Sequence, residues 1–66
     1  MKIVEDLGKV KKYDGENGQA VLTRNFGNLD KTDKWSVSVV VNGQYKKLAN
    51  RADFQKAYAL AEQAIN

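Results

Sequence analysis

Asn42-Gly43 sits between two segments that alternate along SVSVVVNGQYKKL, residues 36–48, and this dipeptide constrains the chain more than any other feature. A two-residue hairpin loop of type I′ needs positive φ at both central positions, which Asn and Gly supply at least cost. Ahead of it, Trp35, Val37, Val39 and Val41 alternate with Ser36, Ser38 and Val40, a period of two rich in β-branched residues. The segment therefore reads as a hairpin with strands over about 35–41 and 44–49. In a two-residue loop Val41 faces Gln44, Val39 faces Lys46 and Val37 faces Leu48. The other face then pairs Val40 with Tyr45, Ser38 with Lys47 and Ser36 with Ala49. A three-residue loop with a bulge would slip the second strand by one, bringing Tyr45 to the valines and releasing Leu48. The sequence leaves both registers open.

A helical stripe follows directly. Phe54, Ala57, Tyr58, Leu60, Ala61, Ala64 and Ile65 fall on one side of a helix, within an arc of about 160°, and Gln55, Lys56, Ala59, Glu62 and Gln63 occupy the rest. Asn50 is the expected N-cap, with Asp53 three residues on in a short variant of the capping box. The helix is predicted over about 51–65. Its mid-stripe alanines would let it lie close on a sheet. Its polar face is too weakly basic for a membrane-surface helix.

Upstream, QAVLTRNF, residues 19–26, reads as another strand. The turn DGENG, residues 14–18, precedes it, and Lys9 to Tyr13 should pair back onto it. The opening segment is ambiguous between strand and helix, because Ile3, Val4, Leu7 and Val10 also fit a helical stripe. Gly8 would cost that helix about 1 kcal/mol against Ala. The preferred reading is a strand over about 2–13 with a bulge at Gly8. Gly27 to Lys34 is a polar loop. The expectation is a single α+β domain over residues 1–66: an antiparallel sheet of three to four strands with one C-terminal helix on one face, in the order β-β-β-β-α. The predicted core is Ile3 or Val4, Leu7, Val10, Leu22, Phe26, Trp35, Val37, Val39, Phe54, Tyr58, Ala61 and Ile65. The second sheet face has no covering layer.

Composition narrows the chemistry. A chain of 66 residues makes at most one domain, with a single core worth ~3–5 kcal/mol of net stability. The chain has no Cys and no His, so disulfides are excluded and a structural zinc site is not expected. The usual nucleophile–base pairs cannot be assembled either. The paired carboxylates Glu5-Asp6, Asp14-Glu16 and Asp30-Asp33 lie at turns or on the surface, where nothing would raise a pKa for acid–base work. The run from Asp14 fails as a calcium loop, because Gln19 replaces the required Gly and Asn25 the terminal Glu. The five glycines match no phosphate-cradling motif. No apolar run is long enough to span a membrane, and MKIVEDLGKV carries an acidic pair where a signal peptide would be apolar. The reading is a cytoplasmic, non-enzymatic domain with no cofactor and no metal.

What remains is binding. Eleven Lys and Arg against eight Asp and Glu leave a mild net charge of +3. Lys9, Lys11 and Lys12 stand beside Tyr13, and Lys46 and Lys47 beside Tyr45, with Arg24 in the strand expected to pair with the first cluster. A basic sheet face with interleaved tyrosines can meet phosphates through Lys and Arg and stack bases on its rings. Lys11, Lys12, Tyr13, Arg24, Tyr45 and Lys47 are the predicted contacts, with DNA or RNA as partner. The structural alternative is that these lysines only protect strand edges from aggregation. The functional alternative is a protein partner or a second copy, engaged through the same face around Val40 and Tyr45 or through a strand edge. An inhibitor or accessory protein, of the kind that mobile elements encode, would use such a surface. Over about 30 residues, the order strand, Asn42-Gly43, strand, helix resembles small DNA-binding domains of the integrase arm-binding type. That resemblance is one of topology, implies a three-stranded sheet placed in the major groove, and transfers no residue roles.

Overall fold

The computed structural model describes residues 1–25 and 34–66. Five strands, β1 (Lys2–Asp6), β2 (Val10–Gly15), β3 (Gly18–Asn25), β4 (Lys34–Val41) and β5 (Gln44–Ala52), precede one helix, α1 (Phe54–Ile65). The strands lie in chain order across one sheet, each antiparallel to its neighbour. The α+β class with a C-terminal helix holds, but the sheet has five strands rather than three to four. The extra strand comes from the segment read as one strand over 2–13. It breaks after Asp6, and Gly8 (φ 81°) sits in the turn rather than in a bulge. Asp6 Oδ1 accepts the Gly8 N–H at 2.9 Å and fixes that turn. The bulge lies instead between Ile3 and Glu5. The hairpin-then-helix order of the C-terminal half is present, but within a wider sheet than the integrase-type resemblance implies.

The β4–β5 hairpin turns on Asn42 (φ 54°) and Gly43 (φ 75°). Its register is that of the two-residue loop from Val41–Gln44 to Ser38–Lys47. Beyond that point Val37 pairs with Ala49 and Trp35 with Ala52, so the expected Val37–Leu48 and Ser36–Ala49 pairs do not form. Bulges insert extra residues and increase the local twist, and here they carry the end of β5 toward the helix. Arg51 takes a positive φ of 64° in this irregular stretch. Because β5 runs on to Ala52, Asn50 is a strand residue whose Oδ1 accepts the Ser36 hydroxyl at 2.8 Å. The cap is therefore Asp53, not Asn50: Asp53 Oδ1 accepts the Lys56 N–H at 2.8 Å.

The helix lies mainly on β4, with smaller contacts to β3, β5 and β2. Tyr13, Ala20, Leu22, Trp35, Val37 and Val39 from the sheet meet Ala57, Ala61 and Ile65 from the helix in the buried core. The alanines permit the close approach anticipated from their place in the stripe. Four rings run along one flank: Tyr13 edge-on to Tyr58 at 5.6 Å, Tyr58 tilted against Phe54 at 6.0 Å, and Phe54 edge-on to Trp35 at 5.1 Å. The last turn of the helix is tied to the first long hairpin. The Asn17 N–H donates to Ile65 O at 2.7 Å. Gly15 lies directly beneath that carbonyl, where a Cβ would overlap it.

Four expected core residues, Ile3, Val4, Leu7 and Val10, lie outside the core. Ile3, Val4 and Leu7 are 45%, 54% and 67% exposed. A helix is about 10 Å across, whereas five strands spaced about 4.8 Å apart span about 19 Å. One helix cannot cover them all, and β1 is left at the uncovered edge. Val10 is half-buried. The core assignment of Phe26, the carboxylates Asp30 and Asp33, and the loop from Gly27 to Asp33 lie outside the described residues, while Lys34 begins β4.

Candidate nucleic-acid interface

Strand alternation divides the sheet into two chemically distinct faces. Tyr13, Ala20 and Val39 share one cross-strand row and are buried beneath the helix. The adjacent row, Lys12–Val21–Ser38–Lys47, must point the other way. So must the row Asp14–Gln19–Val40–Tyr45. No helix or strand of the described residues covers this open face.

Lys12, Tyr45 and Lys47 of the predicted contacts share it. Tyr45 is 70% exposed, the most exposed large apolar side chain among those described. Its hydroxyl lies 2.9 Å from Ser38 Oγ, diagonal to it on β4, so the ring leans across the sheet and is held there. Lys12 Nζ stands 3.7 Å from Glu5 Oε1, a loose and exposed pair. No described carboxylate forms an ion pair with Lys47.

Lys11, Tyr13 and Arg24 fall on the helix side. Tyr13 is 6% exposed and packed on Tyr58, so it cannot stack on a ligand. Burial pushes its phenol above the ordinary tyrosine pKa, with the nearby Lys11 charge partly opposing. Lys11 Nζ bonds Asp6 Oδ2 at 2.8 Å and stands 6.0 Å from the centre of the Phe54 ring. That bond and the Gly8 N–H hold the Asp6 carboxyl below its usual pKa. Arg24 pairs in register with the buried Trp35 and is engaged with its surroundings. Tyr13 packs on the helix through Tyr58, Lys11 stands near Phe54, and Arg24 lies on the same side of the sheet.

Gln19, Val21, Thr23 and Ser38, not picked out as contacts from the sequence, join Val40 and Tyr45 in lining an open cleft of about 290 Å³. Its floor is valine, and its rim offers an amide and three hydroxyls, those of Ser38 and Tyr45 bonded to each other. The signal was present in the alternation of Gln19, Val21 and Thr23 with Ala20 and Leu22, which assigns the outward side of β3 once the inward side is known. At the far end of the face, Ser36 Oγ bonds Asn25 and Asn50 side chains, tying β3, β4 and β5 together.

Among the described residues the face offers ammonium groups, an exposed ring and neutral hydrogen-bonding groups over a small apolar floor. Among the described residues no group of three or more His, Cys, Asp or Glu could hold a metal ion, and no helix is long and apolar enough to cross a membrane. No protein-family model, curated protein or solved structure matches this chain.

Proposed function

We propose that this chain is a non-catalytic binding module that contacts nucleic acid through the open sheet face. The observation that carries the reading is the braced, exposed ring of Tyr45, on an uncovered sheet, with Lys47 on its own strand and Lys12 across the face. Lys12 and Lys47 are three strand spacings apart, about 14 Å. They would meet phosphates while the ring meets a base. Lys11, Tyr13 and Arg24 take no part in this version of the site.

The test is fluorescence anisotropy of labelled oligonucleotides at low and moderate salt. Two to four phosphate contacts give a log–log salt slope of about −1.5 to −3 for a single strand. Lys47→Glu or Lys12→Glu should weaken binding and flatten the slope. No binding at low salt would sink the proposal. Trp35 emission is the wrong reporter for this titration, because Trp35 is 6% exposed on the helix side and reports folding instead.

A protein partner is the second reading, favoured by the apolar edge that Ile3, Val4 and Leu7 leave exposed on and beside β1. Exposed strand edges with apolar side chains are ready templates for pairing. Sedimentation that shows self-association, or pull-down of a partner, lost in Val4→Lys but kept in Lys47→Glu, would favour this reading.

A further inference from the structure

We infer that the occupant of the open face is an unpaired nucleotide strand, with one base seated in the cleft against the Tyr45 ring; this rests on the nucleic-acid reading above. The first ground is charge distribution. On the β1–β2 side the open face carries Lys2 and Lys12 against Glu5 and Asp14, which sum to zero. On the β4–β5 side it carries Lys34 and Lys47 and no described carboxylate, which sum to +2. A duplex lying on the face presents two phosphate backbones, one to each side. One of them would meet Glu5 and Asp14. A single strand follows the basic track along β4 and β5 and, on the other side, meets Lys12 without having to lie along Glu5 and Asp14.

The second ground is shape. In a duplex the bases are stacked inside and offer an exposed ring no free π-face. Tyr45 is 70% exposed, yet its hydroxyl is fixed to Ser38, so the ring is presented in a set orientation. The cleft beside it, about 290 Å³, lies at the lower end of small-molecule sites and suits a group the size of one base. Val21 and Val40 form an apolar floor. Gln19 can both donate and accept, and Thr23 can do the same, so a base edge of any identity finds a partner. Sequence preference should therefore be slight, as in binding sites built on stacking platforms.

The experiment compares an oligothymidylate of about 16 nucleotides, its oligouridylate counterpart and a duplex of the same length, by anisotropy at one low salt concentration. Tighter binding of either single strand than of the duplex is expected. Tyr45→Ala should weaken single-strand binding between about 5-fold and 150-fold and leave any duplex binding unchanged. Tyr45→Phe, which keeps the ring, should stay near the parent. Trp35 emission checks that each variant is folded. Duplex binding as tight as single-strand binding, or an unaltered Tyr45→Ala variant, overturns this inference and leaves the nucleic-acid reading standing. Absence of all binding at low salt overturns both.

Discussion

Gly15→Ala is expected to destabilise the domain by pushing the helix off the first long hairpin. A Cβ at Gly15 would overlap Ile65 O and approach Ile65 Cγ1 to 2.6 Å and Ile65 C to 2.8 Å. Two of those atoms are backbone, so no side-chain rotation relieves the clash. The helix end must move, and the 2.7 Å bond from Asn17 N–H to Ile65 O goes with it. Overpacking of this kind costs about 1–3 kcal/mol, and the lost hydrogen bond about 1 kcal/mol more. The smaller unfolded-state entropy of Ala returns only about 0.4–1 kcal/mol. The net loss is about 1–3.5 kcal/mol, a large part of the ~3–5 kcal/mol that a core of this size supplies. Urea unfolding followed by Trp35 emission and circular dichroism measures it. With a slope near 1 kcal/mol/M, the midpoint should fall by about 1–3.5 M. Gly8→Ala is the control, because Gly8 has nothing within 4 Å and only its φ of 81° to penalise the new side chain. Its loss should be about 1 kcal/mol. A Gly15→Ala variant as stable as the parent would refute the packing of Ile65 on this hairpin.

Other expectations follow from single contacts. Asp53→Ala removes the helix cap and should cost about 1 kcal/mol in the same urea assay, whereas Asn50→Ala should leave helix content unchanged by circular dichroism. Asp6 is held below its usual pKa by Lys11 and Gly8, so its contribution is present above the unfolded carboxyl pKa and fades as pH falls through the lower folded value. The gap in melting temperature between parent and Asp6→Asn should thus be open at pH 7 and close in acid. Tyr13 has the opposite sign: its folded pKa is raised, so its contribution is complete below the unfolded value of about 10 and disappears as pH rises through the folded one. Alkaline unfolding monitored by Trp35 should therefore move to higher pH in Tyr13→Phe.

Local chemistry made the C-terminal half legible. Asn42-Gly43 could satisfy two positive φ values where few other pairs could, and of the two registers left open the hairpin takes that of the two-residue loop as far as Ser38–Lys47. It failed at Leu48, because bulges answer to where the helix must land, and strand alternation carries no record of that. The stripe from Phe54 to Ile65 located the helix correctly, but a good capping residue at Asn50 lost to a strand that stayed paired through Ala52. The largest misreading was Tyr13. Flanked by Lys11 and Lys12, it looked like part of a basic surface patch, but its fate was decided by pairing with Ala20, whose small side chain leaves room for the ring beneath the helix. The same alternation that buried Tyr13 turned Lys12 outward and separated the basic cluster into two faces. Ile3, Val4 and Leu7 were misplaced for a geometric reason, since apolar residues beyond the reach of the C-terminal helix lack a covering layer to pack against.

The order of the strands also has a bearing on how the chain folds. Among the described strands each pairs with its neighbour in sequence, so the β1–β2, β2–β3 and β4–β5 hairpins can close over short turns with little entropy lost. The bond from Asn17 to Ile65 reaches much further along the chain, joining the turn after β2 to the last residue of the helix. Such long-range closures come late and slowly, after the contacts that make them worthwhile. Amide hydrogen exchange should find the β3–β4 ladder the slowest to open and the last helical turn, with the Asn17 amide, the first to let go together. A cut in that turn would then do more than fray a helix end, because it would loosen the cover over Tyr13 some fifty residues away.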